Sequence, residues 1–212
     1  MAEIKELLGV LKKEWEKAGI HNRKIEDLFD SWMSCDKYLE HSSELINVLV
    51  DLGKDSHDDL RDIVYELIKR KYGVEDIAKE CLTFLTEEQT LILSPREFIM
   101  DRIYEKIGKR PPSGARIGKV DVVFSFFSLK EYKQLICAIE VSVTSRLKKE
   151  AEKLKNVPAD IKIIVVPKDK NIQRAEREFE VVDVVPIHLF DKHLESLLRY
   201  YECKEWEWHE KL

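Results

Sequence analysis

A chain of 212 residues with 44% apolar content can bury an ordinary core without disulfide staples. No segment approaches the ~18 consecutive apolar residues of a membrane span, and the first residues show neither the basic start nor the apolar run of a secretory signal. A soluble, intracellular protein with no membrane partner is expected. The net charge of −5 argues against a protein that is basic throughout, yet the sign is unevenly spread. Residues 1–105 carry 15 Lys/Arg against 24 Asp/Glu, residues 106–175 carry 16 against 7, and residues 176–212 carry 5 against 10. A basic middle between acidic ends is the pattern of a localised polyanion-binding surface.

The first ~90 residues have the periodicity of helices. Ile4, Leu7, Leu8, Leu11 and Trp15 make one apolar stripe, and Ile25, Leu28, Phe29, Trp32 and Met33 a second. Further stripes run from Leu45 to Leu52, through Leu60, Ile63, Val64, Leu67 and Ile68, and through Ile77, Cys81, Leu82 and Leu85. Gly19, Gly53 and Gly73 stand where these helices should stop. Residues 1–90 are therefore expected to be a helical bundle region.

Ser94-Pro95 suits a helix start, and Phe98, Ile99, Ile103 and Ile107 give that helix an inner stripe with Glu97, Asp101 and Glu105 on its flank. A Pro/Gly-rich loop over residues 108–118 follows. Lys106, Lys109, Arg110, Arg116 and Lys119 span it without an acidic residue, either as a solvated loop or as a polyanion contact. The character then changes to strand, with a hairpin over residues 120–127 and 134–143. A basic helix over residues 145–155, a strand over 161–166, a charged helix at 175–179, a strand over 181–185 and a helix over 188–201 complete the order. Strands linked by helices imply an α/β (α+β) architecture, a central mixed sheet flanked by helices.

Asp121 and Glu140 each interrupt a strongly apolar strand. An ionised carboxylate inside such a strand is costly unless paired or bound to a cation, and two on neighbouring strands repel one another. Mg2+ (or Mn2+) would relieve both costs, because it favours carboxylate oxygens and keeps waters that a phosphate can displace. The competing reading is that one or both acids face solvent at a strand end. The four cysteines form no CxxC pair, and the six histidines show no ligand spacing, so neither set suggests a metal site. Trp206 and Trp208 in the acidic tail would cap the fold or meet a partner subunit.

Gly118-Lys119-Val120-Asp121-Val122-Val123, a hairpin, and Ile139-Glu140-Val141-Ser142 resemble the core of the PD-(D/E)xK nucleases. The preceding helix with Glu97, then Gly108 and the basic loop, resembles the archaeal Holliday-junction-resolvase branch. The chain as a whole bears a fainter similarity to proteins of spindle-shaped archaeal viruses, which would place it in an archaeal host cell. The resemblance covers roughly residues 94–167. It implies a restriction-endonuclease-like core over residues 91–212, preceded by the helical region, and a metal-dependent DNA endonuclease, with branched or junction DNA as a candidate substrate, working as a homodimer. Glu97, Asp121 and Glu140 would hold the metal, while Lys106, Lys109, Arg110, Arg116, Lys148 and Lys149 would hold the DNA backbone. The chain departs from the family at one catalytic position: Ser142 stands where the family has lysine. Alternation along the strand keeps position 142 on the face of Glu140, so the cation is missing from the site itself. Lys119, two residues before Asp121, and Arg146, just past the Glu140 strand, are the candidate replacements. The alternative is a catalytically silent nucleic-acid-binding module on a nuclease fold.

Overall fold

The computed structural model describes residues 9–10, 12–13, 25–27, 29–30, 42–85, 90–93, 117–143, 147–167 and 181–204. Among the described residues, helices α1 (Ser42–Gly53), α2 (His57–Glu66), α3 (Leu147–Lys155) and α4 (Ile187–Tyr200) accompany six strands. The strands are β1 (Ile77–Leu85), β2 (Thr90–Leu93), β3 (Ile117–Ser128), β4 (Lys133–Val141), β5 (Ile161–Val166) and β6 (Asp183–Pro186).

They form one mixed sheet in the order β2-β1-β3-β4-β5-β6. The first four strands pair antiparallel, while β5 and β6 run parallel to β4. The expected hairpin is present as β3 and β4, and the expected strand at 161–166 as β5. The protein is thus a mixed α/β fold whose sheet is flanked by helices.

The burial pattern explains the layering. On one face Phe124, Phe126, Cys137, Ile139, Ile163 and Val165 pack with Leu45 and Leu49 of α1, Leu60, Ile63 and Val64 of α2, and Phe190 and Leu194 of α4. On the other, Ala138, Ile164 and Val166 meet Leu147, Ala151 and Leu154 of α3. Burial on both faces is why β5 reads from Ile163 to Val166 as an apolar run rather than an alternation. Ser56 caps α2, its Oγ accepting from Asp59 N at 3.4 Å, and α2 continues into a π-helical turn, Leu67–Lys71. Gly73, with φ 66°, turns the chain out of it in the left-handed region that glycine adopts without strain.

Two expectations are corrected. The spacing of Ile77, Cys81, Leu82 and Leu85 predicts a helix, but the segment is strand β1, paired along its length with β3. Four positions picked from a nine-residue segment do not fix a helical period, and the ladder offered by β3 overrides them. Residue 90, where the helical region was expected to end, opens β2, the antiparallel partner of β1. Helices α1 and α2 share a core with the sheet. The helix expected from Ser94 and that at 175–179 lie outside the described residues. Cys81, Cys137 and Cys203 are buried free thiols, and among the described residues no helix is long and apolar enough to cross a membrane.

Candidate functional site

Asp121 sits where the pleat of β3 breaks. Val120 and Val122 are two residues apart and in a regular strand would share a face, yet Val120 packs in the α3 layer and Val122 in the α2 layer. Opposite the break, Glu80 of β1 has φ 55°, and the β1–β3 pairing runs Lys79↔Val122 and Cys81↔Val120 with Glu80 and Asp121 unpaired between them. The freed carboxylate of Asp121 turns along the sheet to β4. Its Oδ2 accepts from Val141 N at 2.7 Å, closing the β3–β4 ladder with a side chain in place of a backbone carbonyl.

The same Oδ2 lies 3.2 Å from His57 Nε2, at the start of α2. The hydrogen bond to Asp121 is the main reason His57 is raised from 6.5 to about 9, against the opposing effect of its own burial. Burial alone would raise Asp121, but the bonds from His57 and Val141 N, with the charges of His57 and Lys153, outweigh it and hold its carboxyl below the usual range.

Glu140, one residue before the end of β4, is only 2% exposed. Regular alternation in β4 sends it to the α3 face with Ala138. There Lys153 Nζ donates to Oε2 at 2.5 Å, while Oε1 is buried and has no hydrogen-bond partner among the described residues. Burial and the negative charge of Asp121 push the Glu140 carboxyl up to about 9, and Lys153 pulls it back only in part. Ser142 is buried, its N donating to Val165 O at 2.9 Å.

The site therefore places Asp121 close enough to Glu140 for its charge to act there, with the buried Ser142 two residues further along the chain, and adds two cations that the sequence left elsewhere. Lys119 is not one of them. Because the pleat breaks at residue 121, Lys119 does not follow the face of Asp121; its side chain is largely exposed and its Nζ lies 3.7 Å from Glu80 Oε1. Glu80 also receives Arg61 Nη1 at 3.1 Å, and Arg61 in turn bonds Asp58 and Asp62. Through Asp58, 3.3 Å from His57 Nδ1, this ionic chain runs from β1 over the N-terminal turn of α2 to Asp121. Lys148 and Lys149 are exposed on α3. Arg146, Glu97, Lys106, Lys109, Arg110 and Arg116 lie outside the described residues.

His57 was passed over because a lone histidine carries no ligand spacing; the available signal was its place directly after the cap Ser56, at a helix start. Lys153 stands out in the sequence only as one charge of the basic helix over residues 145–155. Its signal is helical phase: with Leu147, Ala151 and Leu154 inward, positions 150 and 153 flank the buried stripe.

Among the described residues no group of three His, Cys, Asp or Glu stands ready to hold a metal ion. The donors that are present suit Mg2+ as two ligands of a site: they are carboxylates, and the buried Oε1 of Glu140 is an oxygen with no partner among the described residues. Glu97, expected as a third, is outside the described residues. Comparison with models of known families, with curated proteins and with solved structures gives no match.

Proposed function

We propose that this chain is a divalent-metal-dependent nuclease with a restriction-endonuclease-like core, hydrolysing phosphodiester bonds of DNA. One observation carries the reading. Two buried carboxylates come from neighbouring strands, Asp121 and Glu140; burial and then the charge of Asp121 raise Glu140 to about 9, and one of its oxygens has no hydrogen-bond partner among the described residues. Such a pair is unfavourable by itself and is relieved by a divalent cation.

Asp121 and Glu140 would hold Mg2+ or Mn2+, which when bound lowers the pKa of a water and offsets charge developing on the phosphate. The protein's own contributions are distinct. Val141 N and His57 fix the direction of Asp121, α3 closes the buried side of Glu140, and Lys148 and Lys149 face solvent where a DNA backbone can meet them. Phosphate contacts of that kind give affinity without reading sequence. Branched or junction DNA as substrate and a homodimeric state belong to this proposal through the resemblance to the resolvase branch.

A silent nucleic-acid-binding module is the second reading, and the ion pair between His57 and Asp121 favours it: a protonated imidazole already satisfies the carboxylate that a metal would need. The discriminating experiment is cleavage of labelled single-stranded, duplex, flapped and four-way-junction DNA with Mg2+ or Mn2+, for wild type, Asp121→Asn and Glu140→Gln. Metal-dependent cutting lost in both variants supports the nuclease. Binding without cutting under either metal supports the silent module.

A further inference from the structure

We propose that Lys153 is the catalytic cation of this site: as water attacks the scissile phosphate, its ammonium turns from Glu140 to a non-bridging oxygen of that phosphate. The inference rests on the nuclease reading and names the group that reading lacks, since the strand position two beyond Glu140 holds Ser142, which has no charge.

Three observations converge on Lys153. It reaches the site, with Nζ 2.5 Å from Glu140 Oε2, and its charge is felt at Asp121 as well. It is held there by the fold: Leu147, Ala151 and Leu154 lock α3 against Ala138 and Ile164, so the flanking position 153 overlies the Glu140 end of β4. Its side chain is 30% exposed, whereas that of Glu140 is 2% exposed. The ammonium therefore bridges buried acid and open solvent, the side from which a phosphate arrives. The cation nearest in sequence to Asp121, Lys119, is engaged with Glu80 and does not compete for the role.

Glu150, 3.5 Å from Lys153 Nζ, gives the ammonium a second carboxylate on the same helix face. The lysine can thus shift along a track of oxygens without losing its pairing. In the reaction, the oxygen of water bonds to phosphorus while one phosphorus–oxygen bond to a sugar breaks, and the electron pair of that bond leaves with the sugar oxygen. Water gives up a proton to solvent, and the departing oxygen takes one, yielding a phosphate monoester and a hydroxyl. Lys153 neither gains nor loses a proton. It offsets the negative charge that gathers on the phosphate oxygens, a contribution that exists only in the transition state and so falls on the rate rather than on binding.

The test is single-turnover cleavage at saturating DNA and Mg2+ for wild type, Lys153→Met, Lys153→Arg, Lys119→Met and Asp121→Asn, with DNA affinity, Mn2+ binding by electron paramagnetic resonance and thermal melting measured on each. Removing one charge-stabilising donor typically costs about 100-fold or more in rate, and Lys153→Met should lose that much with DNA affinity unchanged and Mn2+ binding equal or tighter. Lys153→Arg should recover part of the loss, and Lys119→Met should cut as wild type does. If Lys153→Met does not fold, Lys153→Gln takes its place. Cutting by the Lys153 variant at the wild-type rate, with Asp121→Asn inactive, overturns the role of Lys153 and leaves the nuclease standing. Loss of Mn2+ binding together with cutting overturns it too, since Lys153 would then be only a support for Glu140. A wild-type chain that cuts no DNA overturns both proposals.

Discussion

His57 Nε2 and Asp121 Oδ2, from helix α2 and strand β3, stand 3.2 Å apart at the end of the β3–β4 ladder. Each shifts the other: the imidazole is raised from 6.5 to about 9, and the carboxyl is held below its usual range. A group whose folded value lies above its unfolded one adds stability that is complete below the unfolded value and disappears as pH rises through the folded one. For His57 that window runs from 6.5 to about 9. Because its side chain is 41% exposed, solvent screening cuts the contribution to about 1 kcal/mol. Urea midpoints of the metal-free protein should fall between pH 6.5 and 9, and His57→Gln should flatten that part of the curve. A wild-type midpoint that climbs over this range would show that the pair does not stabilise the fold.

Glu140 extends the same logic to metal binding. Its carboxyl, raised to about 9 chiefly by burial and then by Asp121, carries a proton at neutral pH, which an incoming cation must displace. Mg2+ affinity should therefore rise with pH, by about tenfold per unit for each proton released, until the pH passes the Glu140 value. Isothermal titration in buffers of different ionisation enthalpy counts the protons directly. Wild type should release at least one per ion, and Glu140→Gln should lose that proton. Binding that is independent of pH between 6 and 9 would sink the idea that Glu140 is a ligand.

The sequence exposes the acids of this site more readily than the cations that serve them. Asp121 and Glu140 stand out because a charge in an apolar strand is a local anomaly, visible in a window of five residues. Beta5 and the β3–β4 hairpin are legible for the same reason, since burial on two faces or a polar turn leaves a short-range mark. His57 and Lys153 reach the acids from helices 64 and 13 residues away along the chain, by distances fixed in packing rather than spacing. The strand β1 is hidden too: its ladder lies with β3, and its own apolar spacing mimics a helix. The assignment of Lys119 to the site assumed unbroken alternation, and the break between Val120 and Val122 left no mark in the sequence that would have cancelled it.

Lys148 and Lys149 are exposed on the helix that carries Lys153. If α3 lies along a DNA backbone, each neutralised phosphate releases condensed counterions, and affinity falls steeply with added salt. Replacing either lysine with Ala should weaken binding to all sequences alike and lower the slope of log affinity against log salt by about 1. Fluorescence anisotropy across a salt series measures it, and a wild-type slope near zero would rule out backbone contacts by this helix.

Tyr72 and Asp191 tie the end of the π-helical turn to α4. The buried hydroxyl donates to Asp191 Oδ1 at 2.6 Å and lies 3.0 Å from its backbone oxygen, while Lys71 Nζ holds both carboxylate oxygens at 2.8 and 2.7 Å. Burial and the charge of Asp191 push the Tyr72 hydroxyl well above its usual range, so it remains a donor at every working pH. Tyr72→Phe keeps the ring in the core and removes only that donor. Asp191 would then depend on Lys71, whose ammonium is partly open to solvent and whose bond is correspondingly weaker. A lost hydrogen bond to a buried charged group costs about 1–3 kcal/mol, so the denaturant midpoint of Tyr72→Phe should drop by that amount with the slope of the transition unchanged. No change in midpoint would mean that Lys71 alone secures Asp191, and that the hydroxyl is incidental to the joint between the π turn and α4.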